Sequence, residues 1–296
     1  MDRVKQAVRY WCADTRNGRC MGRNVTAAVL DSGIAPHPDF KGRILAFKDF
    51  VGGRRVLYDD NGHGTHVAGI LAGDGRMSGG ILAGMAPGAK LVILKVLDQK
   101  GEGNMRQILE GICWLMRNGN RFGIKVVNIS VGAREGLNEE KENWLVEAVE
   151  RLWDAGIVVV VSAGNYGPEQ GTIAIPGNSR KVITVGAYAK TARGQECSGR
   201  GPTKACVVKP DLVAPGYQII SCNRVSARNR KPYIVKSGTS MATPVVAGAG
   251  AMLLSKYPDM SNVEIKLKLR ESCRRTGSGD GWGLLDVERL LGPGDF

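Results

Sequence analysis

The sequence predicts a single α/β domain with a mostly parallel central sheet and helices on both faces. Two patterns in its 296 residues predict this. Short apolar runs rich in β-branched residues recur along the chain, and longer stretches with a helical apolar period lie between them. Neither a repeat nor a low-complexity linker divides the chain, so one domain is the economical reading.

The runs Val25–Leu30, Leu91–Leu97, Val126–Val131, Ile157–Val161 and Val182–Val185 are almost continuously apolar, the composition of strands covered on both faces. Between them, Met105–Arg117 places Ile108, Leu109, Ile112 and Leu115 on one helical face. Glu142–Asp154 does the same with Leu145, Val146, Val149 and Leu152, and Gly156 stops it. Strands joined through helices pair in parallel. Residues 1–20 read as an N-terminal extension and 21–296 as the domain proper.

Composition narrows the partners. The chain has 41 basic and 28 acidic side chains, a formal charge of +13. Residues 180–275 alone carry 18 basic and 5 acidic side chains, much of the excess in Arg224–Lys236 and Lys266–Arg275. A solvated surface is the simplest meaning. Nucleic acid is not expected as a partner, because Tyr188, Tyr217, Tyr233 and Tyr257 are scattered and form no stacking platform. No apolar run approaches the ~18 residues of a membrane span. The stretch MDRVKQAVRYWCADTRNGRC lacks the apolar centre of a secretory leader. Seven cysteines without C-x-x-C spacing, beside three histidines, argue against zinc. Cys12/Cys20 and Cys197/Cys206 would close short loops only in an oxidising compartment. The expectation is reduced thiols and a cytoplasmic protein, or a secreted one if a leader or pro-segment has been removed. Oligomeric state is not legible.

In parallel sheets, ligands gather at the carboxyl ends of the strands. The first strand ends at Asp31-Ser32-Gly33, and another ends at Ser162-Ala163-Gly164-Asn165. The stretches Asn61–Gly73 and Ser237–Leu254 each put a reactive residue where a loop enters a helix. For Ser240 to act as a nucleophile, a base must take its proton, and the base needs an orienting partner. His37, in Pro-His-Pro, reads as a surface residue, and His66, followed by small residues, as a packed structural one. His63, between Gly62 and Gly64, is the candidate base. Asp31, closing a buried strand, needs a hydrogen-bond partner such as an imidazole N–H. Singly, each has an ordinary alternative: a turn aspartate, a helix-capping serine.

Together, D-S-G at Asp31, H-G-T-H-V-A-G at His63 and G-T-S-M-A-T-P at Ser240 resemble the subtilisin-like serine proteases (subtilases). The Asp, His, Ser order is the one known for that family. G-M-A-P-G-A-K-L-V-I-L-K-V-L-D, V-V-N-I-S-V-G, V-V-S-A-G-N and K-P-D-L-V-A-P-G extend the resemblance over nearly the whole chain. In C-S-G-R-G-P-T and T-P-V-V-A-G the chain looks most like bacterial, often intracellular, alkaline members.

The resemblance implies a three-layer subtilisin-like fold and a serine endopeptidase acting on proteins or peptides. It implies Ser240 as nucleophile, His63 as base and acid, Asp31 as its orienting partner, and Asn165 as an oxyanion donor beside the Ser240 backbone N–H. Substrate would lie extended between Ser130-Val131-Gly132 and Gly101-Glu102-Gly103. Ala163, Gly164 and Ala174 would wall a pocket for a large apolar P1 side chain, and Glu102 would favour a basic residue nearby. A pseudoprotease used as a binding module is the alternative, though it would have no chemical reason to keep these four residues. Two departures stand out. Pro244-Val245-Val246 lacks a histidine that many members carry. In Gly73–Gly80, where many secreted members bind calcium, one carboxylate beside Arg76 is a poor site for a hard cation. No cofactor is therefore expected; the resemblance leaves calcium open, with no ligand residue assigned.

Overall fold

The computed structural model describes residues 1–132, 139–188, 197–224, 231–277 and 279–292. Most of the basic loop anticipated at Arg224–Lys236, residues 225–230, lies outside them.

Two short helices, α1 (Asp2–Ala7) and α2 (Ala13–Arg16), precede β1 (Thr26–Asp31). The expected extension is packed against the body: Val4, Val8 and Tyr10 are buried, and the Val287 N–H donates to the Val8 carbonyl. After β1 come β2 (Ile44–Asp49), α3 (His63–Ala72), β3 (Lys90–Lys95), α4 (Met105–Phe122) and β4 (Ile124–Ile129). Then follow α5 (Glu139–Asp154), β5 (Val158–Ser162), β6 (Ile183–Tyr188) and β7 (Leu212–Pro215). The chain continues through β8 (Ile219–Cys222), β9 (Tyr233–Lys236), α6 (Thr239–Lys256), α7 (Asn262–Ser272) and α8 (Val287–Leu291).

Seven parallel strands form one sheet in the order β2-β3-β1-β4-β5-β6-β7, and β8 and β9 pair antiparallel beside it. The five apolar runs are β1, β3, β4, β5 and β6, and β1, β4 and β5 are almost wholly buried. Helix α4 begins where Asn104 and Gln107 cap each other and ends at left-handed Gly123. It packs with α5 on one face of the sheet, while α3 and α6 pack on the other. Helix α6 is buried from Thr239 to Leu254 apart from the partly covered Ser240, so its sequence is apolar all round rather than amphipathic.

The basic excess is partly structural. Buried Lys209 donates to Asp211 and to the Val182 carbonyl. Lys266 gathers the carbonyls of Arg180, Lys181 and Val182, and Lys256 bonds Asp14 and the Leu291 carbonyl. These ammonium groups hold the chain together, which corrects the reading of the stretch as solvated surface throughout.

Candidate active site

Strand β1 delivers Asp31 to the carboxyl edge of the sheet, fully buried. Its Oδ1 accepts from the Ser32 N–H and from His63 Nδ1, both at 2.7 Å. Beside it in register, Lys95 at the end of β3 donates to the carbonyls of Ser32 and Leu97 and to Asp60. That ammonium locks the turn leaving β1.

His63 is the first residue of α3, and the helix start is held by a network. The Asp59 carboxylate accepts from Ser32 Oγ, the N–H groups of Asn61, Gly62 and Thr65, and Thr65 Oγ1. Ser32 Oγ in turn accepts from the Gly64 N–H. A β-carbon on Gly64 would overlap the Gly33 carbonyl, so only glycine lets α3 close this tightly on β1. Asp59 and Thr65 thus set the distance between His63 and Asp31. Nothing in the sequence reading singled them out, although an aspartate ahead of a helix start is a recognisable capping signal.

Burial works against protonation of His63, and Lys236 opposes it too. The Asp31 charge and hydrogen bond outweigh both, so its pKa lies above the ordinary 6.5. His66, three residues on, is fully buried and donates from Nε2 to the carbonyls of Ile219 and Ile234 at 3.1 Å each. Burial, with Lys236 adding to it, pushes its pKa down to about 3. His66 is therefore a neutral strut to the β8–β9 hairpin. His37 is a correction: it is buried, at 4% exposure, with Nε2 donating to the Pro232 carbonyl. A turn between two prolines is normally solvated, but this one is roofed by the hairpin.

Ser240 lies in the first turn of α6, beyond Gly238, and its N–H precedes the point where intrahelical acceptors begin. In this structure its Oγ donates to the Ser130 carbonyl at 3.0 Å, and Ser130 Oγ returns a bond to the Ser240 carbonyl at 3.2 Å. His63 and Ser240 face one cavity of about 520 Å³ but are not hydrogen-bonded to each other. Asn165, at the end of the loop from β5, accepts at Oδ1 from the Thr239 N–H and Oγ1. The acceptor is thereby assigned, which leaves the amide NH₂ as the opposite end of the side chain.

The same cavity is walled by Lys100, Gly101, Gly103, Ser130, Val131, Gly132, Gly164 and Asn165. Buried Ala174 underlies Gly132 and Gly164, and its N–H donates to the Ala163 carbonyl. Of the anticipated pocket residues, Gly101, Gly103, Ser130, Val131, Gly132 and Gly164 line the cavity, whereas Ala163 and Ala174 are buried behind it. Glu102 is exposed on the same turn, its N–H held by Asp98, while its neighbours line the cavity. A second recess of about 190 Å³ shares Gly103, Ile108, Val131 and Gly132 and adds Met105, Leu145 and Pro176. Met105, Leu145 and Pro176 were not foreseen as site residues.

The loop 73–80 does not suit calcium. Arg43 donates to the carbonyls of Asp39, Ala72 and Ala89 and lies 3.9 Å from the Asp74 carboxylate, which also pairs with Arg76. The one carboxylate of the loop is thus already shared by two guanidinium groups, which is a poor fit to a hard cation.

A subtilase-family sequence model matches residues 22–285. Serine protease AprX of Bacillus subtilis (strain 168) is 44% identical, over 94% of this chain and 69% of that protein. Subtilisin DY of Bacillus licheniformis is 36% identical over 90% of each. Among solved structures, Sphericase is 30% identical with a TM-score of 0.78, over 90% of this chain and 92% of that one. A cold-adapted subtilisin-like serine proteinase gives 29% and 0.73.

Proposed function

The chain belongs to the subtilase family and is a serine endopeptidase, and from that premise we propose that Ser240 is its nucleophile. The observation that carries the reading is the 2.7 Å bond from His63 Nδ1 to buried Asp31, at the rim of the cavity that Ser240 and Asn165 also face.

Rotation about the Ser240 Cα–Cβ bond frees its hydroxyl from the Ser130 carbonyl and turns it to His63 Nε2. His63 takes the proton as Oγ attacks the scissile carbonyl, and Asp31 stabilises the imidazolium formed. The oxyanion is received by the Asn165 NH₂ and the Ser240 N–H, an unpaired amide at a helix start. His63 then delivers its proton to the leaving amine, and water repeats the sequence on the acyl-enzyme.

Substrate lies extended along Ser130-Val131-Gly132, with Gly101-Glu102-Gly103 opposite. Small residues at Gly132, Ala163, Gly164 and Ala174 leave room for a large apolar P1 side chain. Side chains of an extended peptide alternate in direction, so the second apolar recess receives a further apolar residue upstream. Glu102 on the neighbouring turn favours a basic residue at its rim. The proposed compartment is the cytoplasm, a reading supported by seven cysteines that are all unpaired.

The test is a fluorophosphonate label with a peptide-library cleavage profile. Wild type should be labelled on Ser240 and cut after large apolar residues, and Ser240→Ala should do neither. A folded wild type that takes no label would overturn the assignment. A cleavage profile unchanged in Glu102→Gln would remove that residue from the specificity reading.

A further inference from the structure

We propose that His37, Asp39 and Cys222 form a buried binding site for a borderline transition-metal dication of the zinc class, separate from the catalytic cavity. One ligand atom of each lies within 4.8 Å of the other two, and all three residues are buried.

The arrangement around each donor has the form that metal ligation requires. His37 donates its Nε2–H to the Pro232 carbonyl at 2.9 Å. That bond fixes the tautomer and leaves Nδ1 as the lone-pair nitrogen, the way ligating histidines are oriented by their outer partners. Nδ1 stands 3.7 Å from Asp39 Oδ1 and accepts a 3.2 Å hydrogen bond from the Asp39 N–H, which a metal ion would displace. The carboxylate is anchored from behind, with Oδ1 accepting from the Met77 N–H at 3.0 Å and Oδ2 from the Tyr233 hydroxyl at 2.8 Å. Cys222 Sγ lies 3.5 Å from Asp39 Oδ2, along a thiol hydrogen bond that a metal ion would replace.

Nitrogen, oxygen and sulfur donors together select borderline metals and disfavour calcium or magnesium. Binding breaks the Cys222 S–H bond, forms a sulfur–metal bond and releases one proton to solvent. Thiolate and carboxylate then neutralise the dication, with imidazole as the neutral third ligand. The fourth position is left for water or for the Tyr233 hydroxyl, which already donates to Asp39 Oδ2. No Cys/His spacing signals the site, because its ligands come from the turn after β1 and from the end of β8, 183 residues away. Bound metal would clasp the β8–β9 hairpin to the segment leaving Asp31, a structural role independent of the proposed nucleophile.

The experiment uses the full chain, stripped of metal, with zinc and cobalt(II) as probes and calcium as the control. Equilibrium dialysis should give one zinc per chain, undiminished by excess calcium. Cobalt should produce a thiolate-to-metal charge-transfer band with tetrahedral d–d absorption. In Cys222→Ser, nearly isosteric, the band should vanish and zinc affinity should fall by at least about 100-fold. A triple variant at the exposed Cys113, Cys197 and Cys206 should keep both and covers the case in which Cys222→Ser misfolds. The proposal fails if wild type binds no stoichiometric zinc, if the triple variant loses the band, if folded Cys222→Ser keeps it, or if calcium displaces zinc.

Discussion

The two histidines of α3 stand three residues apart and are driven in opposite directions. His63, at the mouth of the helix, keeps an open side toward the cavity and is held above its usual pKa by Asp31. His66, on the covered side, is held near 3 by burial and gives its one proton to two hairpin carbonyls. One helix thus carries a group poised to change protonation state beside one prevented from doing so. What separates them is the partner: a carboxylate favours the cation, whereas two carbonyls in a dry wall need only a neutral N–H donor.

If that division is right, damage on the cavity side should remove activity and leave the fold, and damage on the hairpin side should do the reverse. The largest effect is expected from Ser240→Ala, a loss of about 10⁶ in kcat with an unchanged melting temperature. Retained turnover in that variant would break the comparison at its root. Asn165→Ala should cost about 10²–10³ in kcat with little change in KM, since its amide meets charge only as the reaction proceeds. His66→Leu leaves two buried carbonyls without their donor and should destabilise by about 2–3 kcal/mol. A urea titration would read this, while kcat per folded molecule stays near wild type.

The smallest effect is in the pH profile. Activity needs neutral His63, so its rise should be centred above 6.5. Removing the opposing charge in Lys236→Met should move that rise further upward, and a downward move would contradict the electrostatics. Stability splits between the two histidines. The raised pKa of His63 contributes stability that is full below 6.5 and lost as pH rises through its folded value. The depressed pKa of His66 contributes stability that is full above 6.5 and lost as pH falls toward about 3.

Sequence and structure agree where residue type and local pattern coincide. Five buried strands were visible because both their faces are apolar, and Asp31, His63 and Ser240 because each sits at a strand end or helix start. Strand β2 was not visible, since its residues are mostly half-exposed and carry no clean alternation. The β8–β9 hairpin consists of two four-residue strands, too short to declare themselves. That omission explains two other misses: without the hairpin, His37 looks solvated and Cys222 has no neighbours, whereas His66 was legible as a packed residue and only its acceptors were not. Asp59 was hidden by its setting, Asp59-Asp60-Asn61, which reads as an ordinary polar turn until five donors are seen to converge on it.

The all-round burial of α6 has a consequence for a protein that must live beside its own cutting edge. Under the proposed mode of binding, a substrate segment must lie extended along Ser130-Val131-Gly132, and the backbone of Thr239–Leu254 cannot be offered in that form while it stays buried as a helix. Nicks made by neighbouring copies are therefore confined to the rim of the molecule. Loss of helix α6, which carries the proposed nucleophile, must wait for the whole domain to open, so working lifetime at high concentration should follow the rate of global unfolding.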